Sequence, residues 1–275
     1  MTKGLINHLW TTCPRLSPQT GRDRRNRWGK KRSAEVRPKL DSVPTHTDPA
    51  VLMQLWGVRP RHVPGALSRM ATHRTLLRNQ PGLRFAKLLG TGNGHTFTVR
   101  DADPLHWGLL TVWDDAAVAE RFEQTNPVPR SWQRIATETL TARMRPIAAR
   151  GRWASQRPFG DPSPRPTSGL IASITRARIR PRKAATFWRA VPPVSTDLRR
   201  VDGLRLAVGI GEAPIGLQGT FSVWDSSSAL NQFAHRREPH AEAIRRTATE
   251  NWYAEELFAR FEILALDGTF AGQSI

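Results

Sequence analysis

Two halves of the sequence match each other, so the chain must fold as two copies of one unit. The tetrapeptide Val58–Arg61 aligns with Ile179–Arg182, an offset of 121 (180 minus 59). Further along, Trp113 aligns with Trp224, where the offset is only 111 (224 minus 113). One connecting loop is therefore ten residues longer in the first copy (121 minus 111), and the remaining segments of the two copies correspond.

Each copy begins with the same pair of elements. Residues 51–58 and 170–179 are apolar or alternating runs that predict strands. Each run ends at Arg-Pro, and proline is well placed in the first turn of a helix. The segments that follow, 61–79 and 182–200, are predicted as helices that their internal prolines bend or split.

The later part of each copy predicts two more strands, then helices and a final strand. A strand ends at Val-Trp-Asp in both copies, and the polar side chains that follow it can cap a helix. Helices are predicted near 130–145 and 239–250, before a last strand that is clearest at 256–264. The order β-α-β-β-α-β is that of a ferredoxin-like unit. We therefore predict an α+β fold of tandem ferredoxin-like repeats, whose sheets can pair face to face and leave a cavity between sheet and helices.

The stretch "LRFAKLLGTGNG", residues 83–94, resembles a glycine-rich phosphate loop. A dinucleotide-binding loop leads directly into a helix, whereas this stretch is followed by the strand-like "HTFTV". The second copy lacks the third glycine. We interpret Gly90 and Gly211 as turn glycines at strand ends, where positive φ or a close backbone approach is needed.

Composition divides the chain into segments. Residues 1–45 carry 11 Lys or Arg against 3 Asp or Glu and few apolar residues, which predicts a disordered extension. A stretch with four prolines separates the repeats and predicts an extended linker. Trp153 and Phe159 in this linker are expected to pack onto a neighbouring domain. The predicted segments are a basic extension at 1–48, a first repeat at 49–150, a linker at 151–169 and a second repeat at 170–275.

The net charge of +19 suggests nucleic acid, but much of the excess lies in the extension. That extension is either a solvated tail or an arm that touches nucleic acid or acidic lipid. The folded part has no zinc-finger spacing, RNP-like strand or helix-turn-helix pattern, so no specific nucleic-acid partner is expected. Without an apolar run of about 20 residues or a signal peptide, we expect a cytoplasmic protein. Cys13 is the only cysteine, which excludes an internal disulfide and a thiolate zinc site.

Aromatic side chains and histidines are the candidate site residues. The aromatics could line a pocket for a large, flat or elongated apolar ligand, and the alternative for each is core packing. His240 stands at the start of a predicted helix, after Pro239. Its imidazole could ligate a haem iron, or it could hydrogen-bond at the helix start. The predicted pocket residues are Trp113, Trp188, Trp224, Trp252 and Phe258.

Several motifs resemble the spheroidene monooxygenases of carotenoid biosynthesis, over roughly residues 51–272, and the second half carries the more specific part. The resemblance implies a dimeric α+β barrel formed within one chain, and insertion of oxygen from dioxygen into a long polyene with haem. Arg180 and Arg182 could then pair with haem propionates, as could Arg59, although these arginines could equally lie on the surface. A weak association with a membrane surface would suit such an apolar substrate. The motifs are "LRFAKLLGTG", "GRWASQRPF", "ARIRPRKAATFWRAVPPV", "LAVGIGEAPIGLQGTFSVWD" and "PHAEAIRRTATENWYAEELFARF".

Two other classes of protein fit the same residues. A cofactor-free oxygenase or a decarboxylase-like enzyme would use the same pocket without haem. A non-catalytic module would bind haem or an apolar ligand without turnover. The sequence specifies neither the substrate nor the electron donor.

Overall fold

The two repeats fold as successive α+β units. The computed structural model describes residues 48–92, 101–183, 201–212, 219–236 and 252–275, which belong to one compact unit, Thr47–Ile275. The elements of the first repeat are β1 (Ala50–Val58), α1 (Val63–Leu77), β2 (Leu83–Gly92), β3 (Ala102–Trp113), α2 (Ala116–Thr125), α3 (Pro127–Gln133) and β4 (Ala136–Gly151).

The second repeat follows the same order of strands. After β1 and after β5 the chain makes a single 3-10 turn, at Pro60–His62 and Pro181–Lys183, where the sequence repeats Arg-Pro. The elements of the second repeat are β5 (Ile171–Ile179), β6 (Leu204–Gly211), β7 (Gly219–Trp224), α4 (Ser227–Arg236), β8 (Tyr253–Phe270) and β9 (Gln273–Ser274).

The strands of both repeats form one closed antiparallel barrel. The order is β4-β1-β3-β2-β6-β7-β5-β8, and β8 pairs back onto β4. Two joints connect the repeats: a short one of three residue pairs between β2 and β6, and a long one of eleven pairs between β4 and β8. Closure leaves no free sheet edge in the ring. The predicted fold class, an intramolecular dimeric α+β barrel of tandem ferredoxin-like repeats, is confirmed.

Successive side chains of each strand point to opposite faces of the sheet, so the buried residues form two layers of core. In β1, Val51, Met53 and Leu55 point into the barrel lumen, and the residues between them point toward the helices. Leu52 and Trp56 belong to the second set, which packs under α1, α2 and α3. Each fully buried side chain of this size contributes about 1.5–3 kcal/mol to the hydrophobic free energy of folding.

A charged network closes the barrel end at which β6 ends and β8 begins. The Arg176 guanidinium is 4% exposed and donates to Glu255 at 2.6 Å and Glu212 at 3.0 Å. The Trp153 indole N–H donates to Glu212 at 2.5 Å, and Lys87 donates to the same carboxylate at 2.6 Å. Trp153 and Phe159 are both 1% exposed and belong to the lumen core, as predicted for the linker aromatics.

The opposite end of the barrel is closed by the C-terminal hairpin. The imidazole of His106 lies between Asp103, at 2.6 Å from Nδ1, and Glu138, at 2.8 Å from Nε2. Glu138 also accepts hydrogen bonds from the backbone N–H groups of Ala271 and Gly272. Phe270 packs on the His106 ring at a centroid distance of 4.7 Å. The hairpin is therefore attached by both charge and ring contact.

Three local predictions were wrong. Gly90 and Gly211 are not turn glycines, because neither has a positive φ and they pair with each other at the β2–β6 joint; Gly211 does end its strand, as predicted. Pro64 lies in the first turn of α1 and so starts that helix rather than bending it. The helix predicted near 130–145 stops at Gln133, because residues 136–151 pair with both β1 and β8. Its counterpart, predicted at 239–250, lies outside the described residues.

No helix within the described ranges is both long and apolar enough to cross a membrane.

Candidate functional site

The barrel lumen offers no room for a substrate. Its lining is large and apolar, and the side chains of Leu89, Ile174 and Phe221 in its centre are completely buried. Both ends are closed, one by the linker and the other by the C-terminal hairpin. A site must therefore lie on the outward face of the sheet, where the helices pack.

The outward face of the second repeat carries small and hydroxyl-bearing side chains. Thr175 of β5 lies directly opposite Thr220 of β7 on one side and Phe258 of β8 on the other. Thr175 is exposed although β5 is flanked by strands on both sides, and Thr220 and Phe258 are half-buried. A central strand position in a sheet that faces helices is normally buried. Space therefore remains over this part of the sheet. We call the face formed by Thr175, Thr220, Ala177, Gly209 and Phe258 the open face.

One end of the open face is sealed by apolar packing. Trp224 lies 5.4 Å from Phe233 of α4, measured between ring centroids, and both belong to a cluster with Ile171. The Trp224 indole N–H donates to the Ser222 hydroxyl at 2.9 Å, and that hydroxyl shares a 2.8 Å hydrogen bond with Ser173. The Trp224 indole and the two serine hydroxyls at this end are thus hydrogen-bonded to one another.

A half-buried arginine borders the open face. Arg260 lies opposite Ser173 on the outward side of β8. Burial lowers the pKa of Arg260 to about 10. The guanidinium nevertheless stays protonated at neutral pH, so it places a positive charge beside the open face, where Glu256 lies opposite Ala177. At the corresponding position of the first repeat, Arg143 donates two hydrogen bonds to Glu123, at 2.9 and 2.6 Å.

The predicted arginines lie at the other end of β5. Arg180 is exposed, and its Nε donates to the Tyr253 carbonyl oxygen at 3.0 Å. Its backbone N–H donates to the Trp252 carbonyl oxygen at 2.8 Å, which anchors the turn to β8. Arg182 is exposed in the same turn. Arg59 is exposed in the equivalent turn of the first repeat, so it lies away from the second-repeat face.

The predicted aromatic residues do not form one cluster. Trp113 is packed in the first repeat, 4.6 Å from Phe122, and Trp224 occupies the equivalent place in the second repeat. Trp252 is 2% exposed, and Phe258 belongs to the open face. His240 and Trp188 lie outside the described residues. Within the described ranges, no group of three or more His, Cys, Asp or Glu side chains could hold a metal ion.

Thr175, Thr220 and Arg260 were not identified from the sequence. Hydroxyls scattered along separate strands form no motif, and the chain contains many arginines. The alternation of β5 is the signal that could have found them. Every second residue of "SITRA", which begins at Ser173, is small or hydroxylated, where the matching positions of β1 are large.

The closed ring of two fused α+β units defines a dimeric α+β barrel protein. The sequence is 36% identical over 216 residues to spheroidene monooxygenase of Rhodobacter capsulatus, covering 77% of this chain and 88% of that protein. It is 37% identical over 226 residues to spheroidene monooxygenase of Rubrivivax gelatinosus, covering 82% of this chain and 83% of that protein. The chain belongs to the spheroidene monooxygenase family and is a monooxygenase that acts on a small molecule.

Two further comparisons concern protein families and the fold. No protein-family model matches the sequence. The crystal structure of an aldoxime dehydratase superposes with a TM-score of 0.51 at 13% sequence identity, covering 78% of this chain and 82% of that one. At this identity the similarity concerns the fold alone.

Proposed function

We propose that the protein inserts one oxygen atom of dioxygen into a long polyene, such as a carotenoid, and uses haem bound at the open face of the second repeat. The second oxygen atom leaves as water, so each turnover consumes two electrons from an external donor. The exposure of Thr175 on a central strand carries this proposal, because it marks space between sheet and helices. The relatives named spheroidene monooxygenase support the substrate class.

The surroundings of the open face suit an elongated apolar substrate. Its inner end is walled by Trp224 and Phe233, and Phe258 stands at its side. Such pockets are usually lined by apolar groups, with a few polar ones that fix orientation. In this proposal the Thr175 and Thr220 hydroxyls are the polar groups in the middle of the floor, where they can hydrogen-bond an oxygen substituent.

In this proposal haem lies over the open face, where the small side chains of Gly209 and Ala177 would let a planar macrocycle approach the backbone and Phe258 would stand at its edge. Arg180 and Arg182 are planar donors suited to carboxylates, and we assign them to the propionates. In the same proposal His240, which stands at a predicted helix start, would hold the haem iron through its imidazole. Bound haem would supply the binding and activation of dioxygen.

The protein's own residues would hold the reactants and keep water out. The Trp224–Phe233 wall would close the inner end of the face, where the Ser173 and Ser222 hydroxyls hydrogen-bond each other. Arg260 would stabilise negative charge near the floor, since it remains protonated far above neutral pH. We further propose that the enzyme works in the cytoplasm, at the surface of the membrane that holds its apolar substrate.

The first test is an absorption spectrum of the full-length protein after reconstitution with hemin, with dithionite and carbon monoxide added in turn. We expect a Soret band that shifts at both steps. His240→Ala should shift or abolish that band, whereas the matched control His62→Ala should leave it unchanged. Among the described residues, His62 hydrogen-bonds with Arg61 and with the Ile135 carbonyl oxygen, both in the first repeat.

Turnover is tested with spheroidene as substrate, a chemical reductant and labelled dioxygen. Incorporation of one labelled oxygen atom into the polyene supports the proposal. Turnover without a Soret band would replace haem by cofactor-free chemistry, and a Soret band without any turnover of polyenes would contradict the substrate class.

A further inference from the structure

The two repeats differ at the positions that face their helices. A row of four side chains crosses the open face of the second repeat: Gly209, Thr220, Thr175 and Phe258, each opposite the next. The same row in the first repeat consists of Leu88, Leu109, Gln54 and Thr141. Next to these rows, Ala177 of β5 occupies the position that Trp56 has in β1.

In the first repeat this row is filled. Trp56 is fully buried and stacks on Trp132 with the rings 5.1 Å apart and 4° from parallel. Trp107 packs on the same Trp132 ring at 6.2 Å. Gln54 is 1% exposed, whereas its counterpart Thr175 is exposed. The first repeat therefore has no room between the described sheet and its helices.

The difference in side-chain volume between the two sheets is close to the lower limit for a ligand site. The second repeat has smaller side chains in place of four residues of the first: Leu88, Leu109, Gln54 and Trp56. One replacement goes the other way, because Phe258 is larger than its counterpart Thr141. The net loss is about a dozen non-hydrogen atoms, on the order of 250 Å³ at protein packing density. That approaches the lower range of small-molecule pockets, about 300 Å³. The loss is concentrated at Gly209, which is buried and lies three strands from Phe258, and at the half-buried Ala177, two residues along β5 from Thr175.

We propose that Gly209 and Ala177 determine the size of the ligand site, and that they admit a flat apolar group that lies on the Gly209–Thr220–Thr175 row with its edge toward Phe258. The identity of the ligand in this inference rests on the proposed function, whereas the restriction of the size of the site does not. The restriction by Gly209 follows from its position opposite Thr220, where any side chain would project over the row. Restoring the first-repeat residues at these two positions would close the site.

The test uses the full-length protein, with all-trans-retinol as a fluorescent polyene probe. Gly209→Leu and Ala177→Trp each install the residue that the first repeat has at that position. We expect saturable retinol binding by the wild type and at least a tenfold weaker affinity in each variant, with a single cooperative melting transition retained. The matched control is Ala71→Trp, an equal addition at an exposed position on α1, which should bind retinol like the wild type.

Other outcomes overturn the inference or separate it from the proposed function. Wild-type affinity in variants that melt like the wild type would overturn it, as would the absence of retinol binding by the wild type. If the large substitutions prevent folding, Gly209→Ala and Ala177→Val must show a graded loss of affinity, and its absence would also overturn the inference. If the variants lose retinol binding while the wild type shows neither a Soret band nor turnover, the inference stands and the proposed chemistry fails.

Discussion

At the scale of single residues, the first repeat contains a buried amide without a partner. Gln54 is 1% exposed, and neither its amide nitrogen nor its amide oxygen has a hydrogen-bond partner. A buried polar group without a partner costs about 1–3 kcal/mol relative to an apolar group of the same shape.

Replacing Gln54 by Met should therefore stabilise the protein, because Met is similar in size and has no amide. We expect the free energy of unfolding to rise by about 1 kcal/mol, measured by urea denaturation. The matched control is Thr175→Met at the equivalent, exposed position, where the change should stay within about 0.5 kcal/mol. A loss of stability in Gln54→Met would mean that a buried water satisfies the amide.

The charge of His106 makes the C-terminal closure depend on pH. The hydrogen bond to Asp103 is the largest cause that raises the pKa of His106, and the bond to Glu138 adds to it. Burial alone would raise the pKa of Asp103 and Glu138, but their hydrogen bonds, including those from His106, hold both below the usual range. All three groups are therefore charged together over the mildly acid range.

The sign of the effect follows from these directions. A raised histidine pKa stabilises the fold fully below the unfolded value, about 6.5, and the contribution is lost as pH rises through the folded value. The melting temperature of the wild type should therefore exceed that of His106→Gln by more at pH 5.5 than at pH 9. The hydrogen-exchange protection factors of the backbone amides of residues 269–274 should fall over the same pH range. A difference in melting temperature that does not change with pH would contradict this account.

At the scale of elements, the linker and the charged network form one closure. Arg176 is nearly buried between Glu212 and Glu255, and its guanidinium stacks 5.1 Å from the Trp153 ring centre. Removal of one partner from a buried charge network leaves the others uncompensated, which costs about 3–5 kcal/mol. The linker is attached to the same network, through Trp153.

Arg176→Met should lower the free energy of unfolding by about 3 kcal/mol, measured by urea denaturation. The control is Arg205→Met, which removes an exposed ion pair with Asp225 and should cost less than about 1 kcal/mol. Limited proteolysis should cut the linker faster in Arg176→Met than in the control. Equal losses of stability in the two variants would mean that the buried network contributes no more to the free energy of unfolding than an exposed ion pair does.

Some strands could be predicted from the sequence and others could not. The strands β1 and β5 follow from their alternation, and the fold class follows from the repeat. The start of β4 could not be predicted from local pattern, because "TETLTARMR" contains strong helix formers such as Leu, Arg and Met. Pairing with β1 and β8, which are distant in sequence, overrides that preference. The open face was missed for a related reason, since its residues come from four strands and share no motif.

At the scale of the whole molecule, the two repeats share one core. The lumen cluster contains Val51, Leu89 and Leu110 from the first repeat and Ile174 and Phe221 from the second. Neither sheet can bury its lumen face without the other. The repeats should therefore unfold together, in spite of the linker between them.

We expect calorimetry of the full-length protein to show one transition, with equal calorimetric and van't Hoff enthalpies. Phe221→Ala removes a completely buried lumen side chain of the second repeat and should cost about 3–5 kcal/mol. Because the core is shared, this substitution should shift the whole transition and not split it. The control is Trp56→Ala, which removes a buried side chain from the core between the sheet and the helices of the first repeat and leaves the lumen core intact. Two resolved transitions in the wild type, with only one of them shifted by Phe221→Ala, would show that each repeat folds as a separate unit.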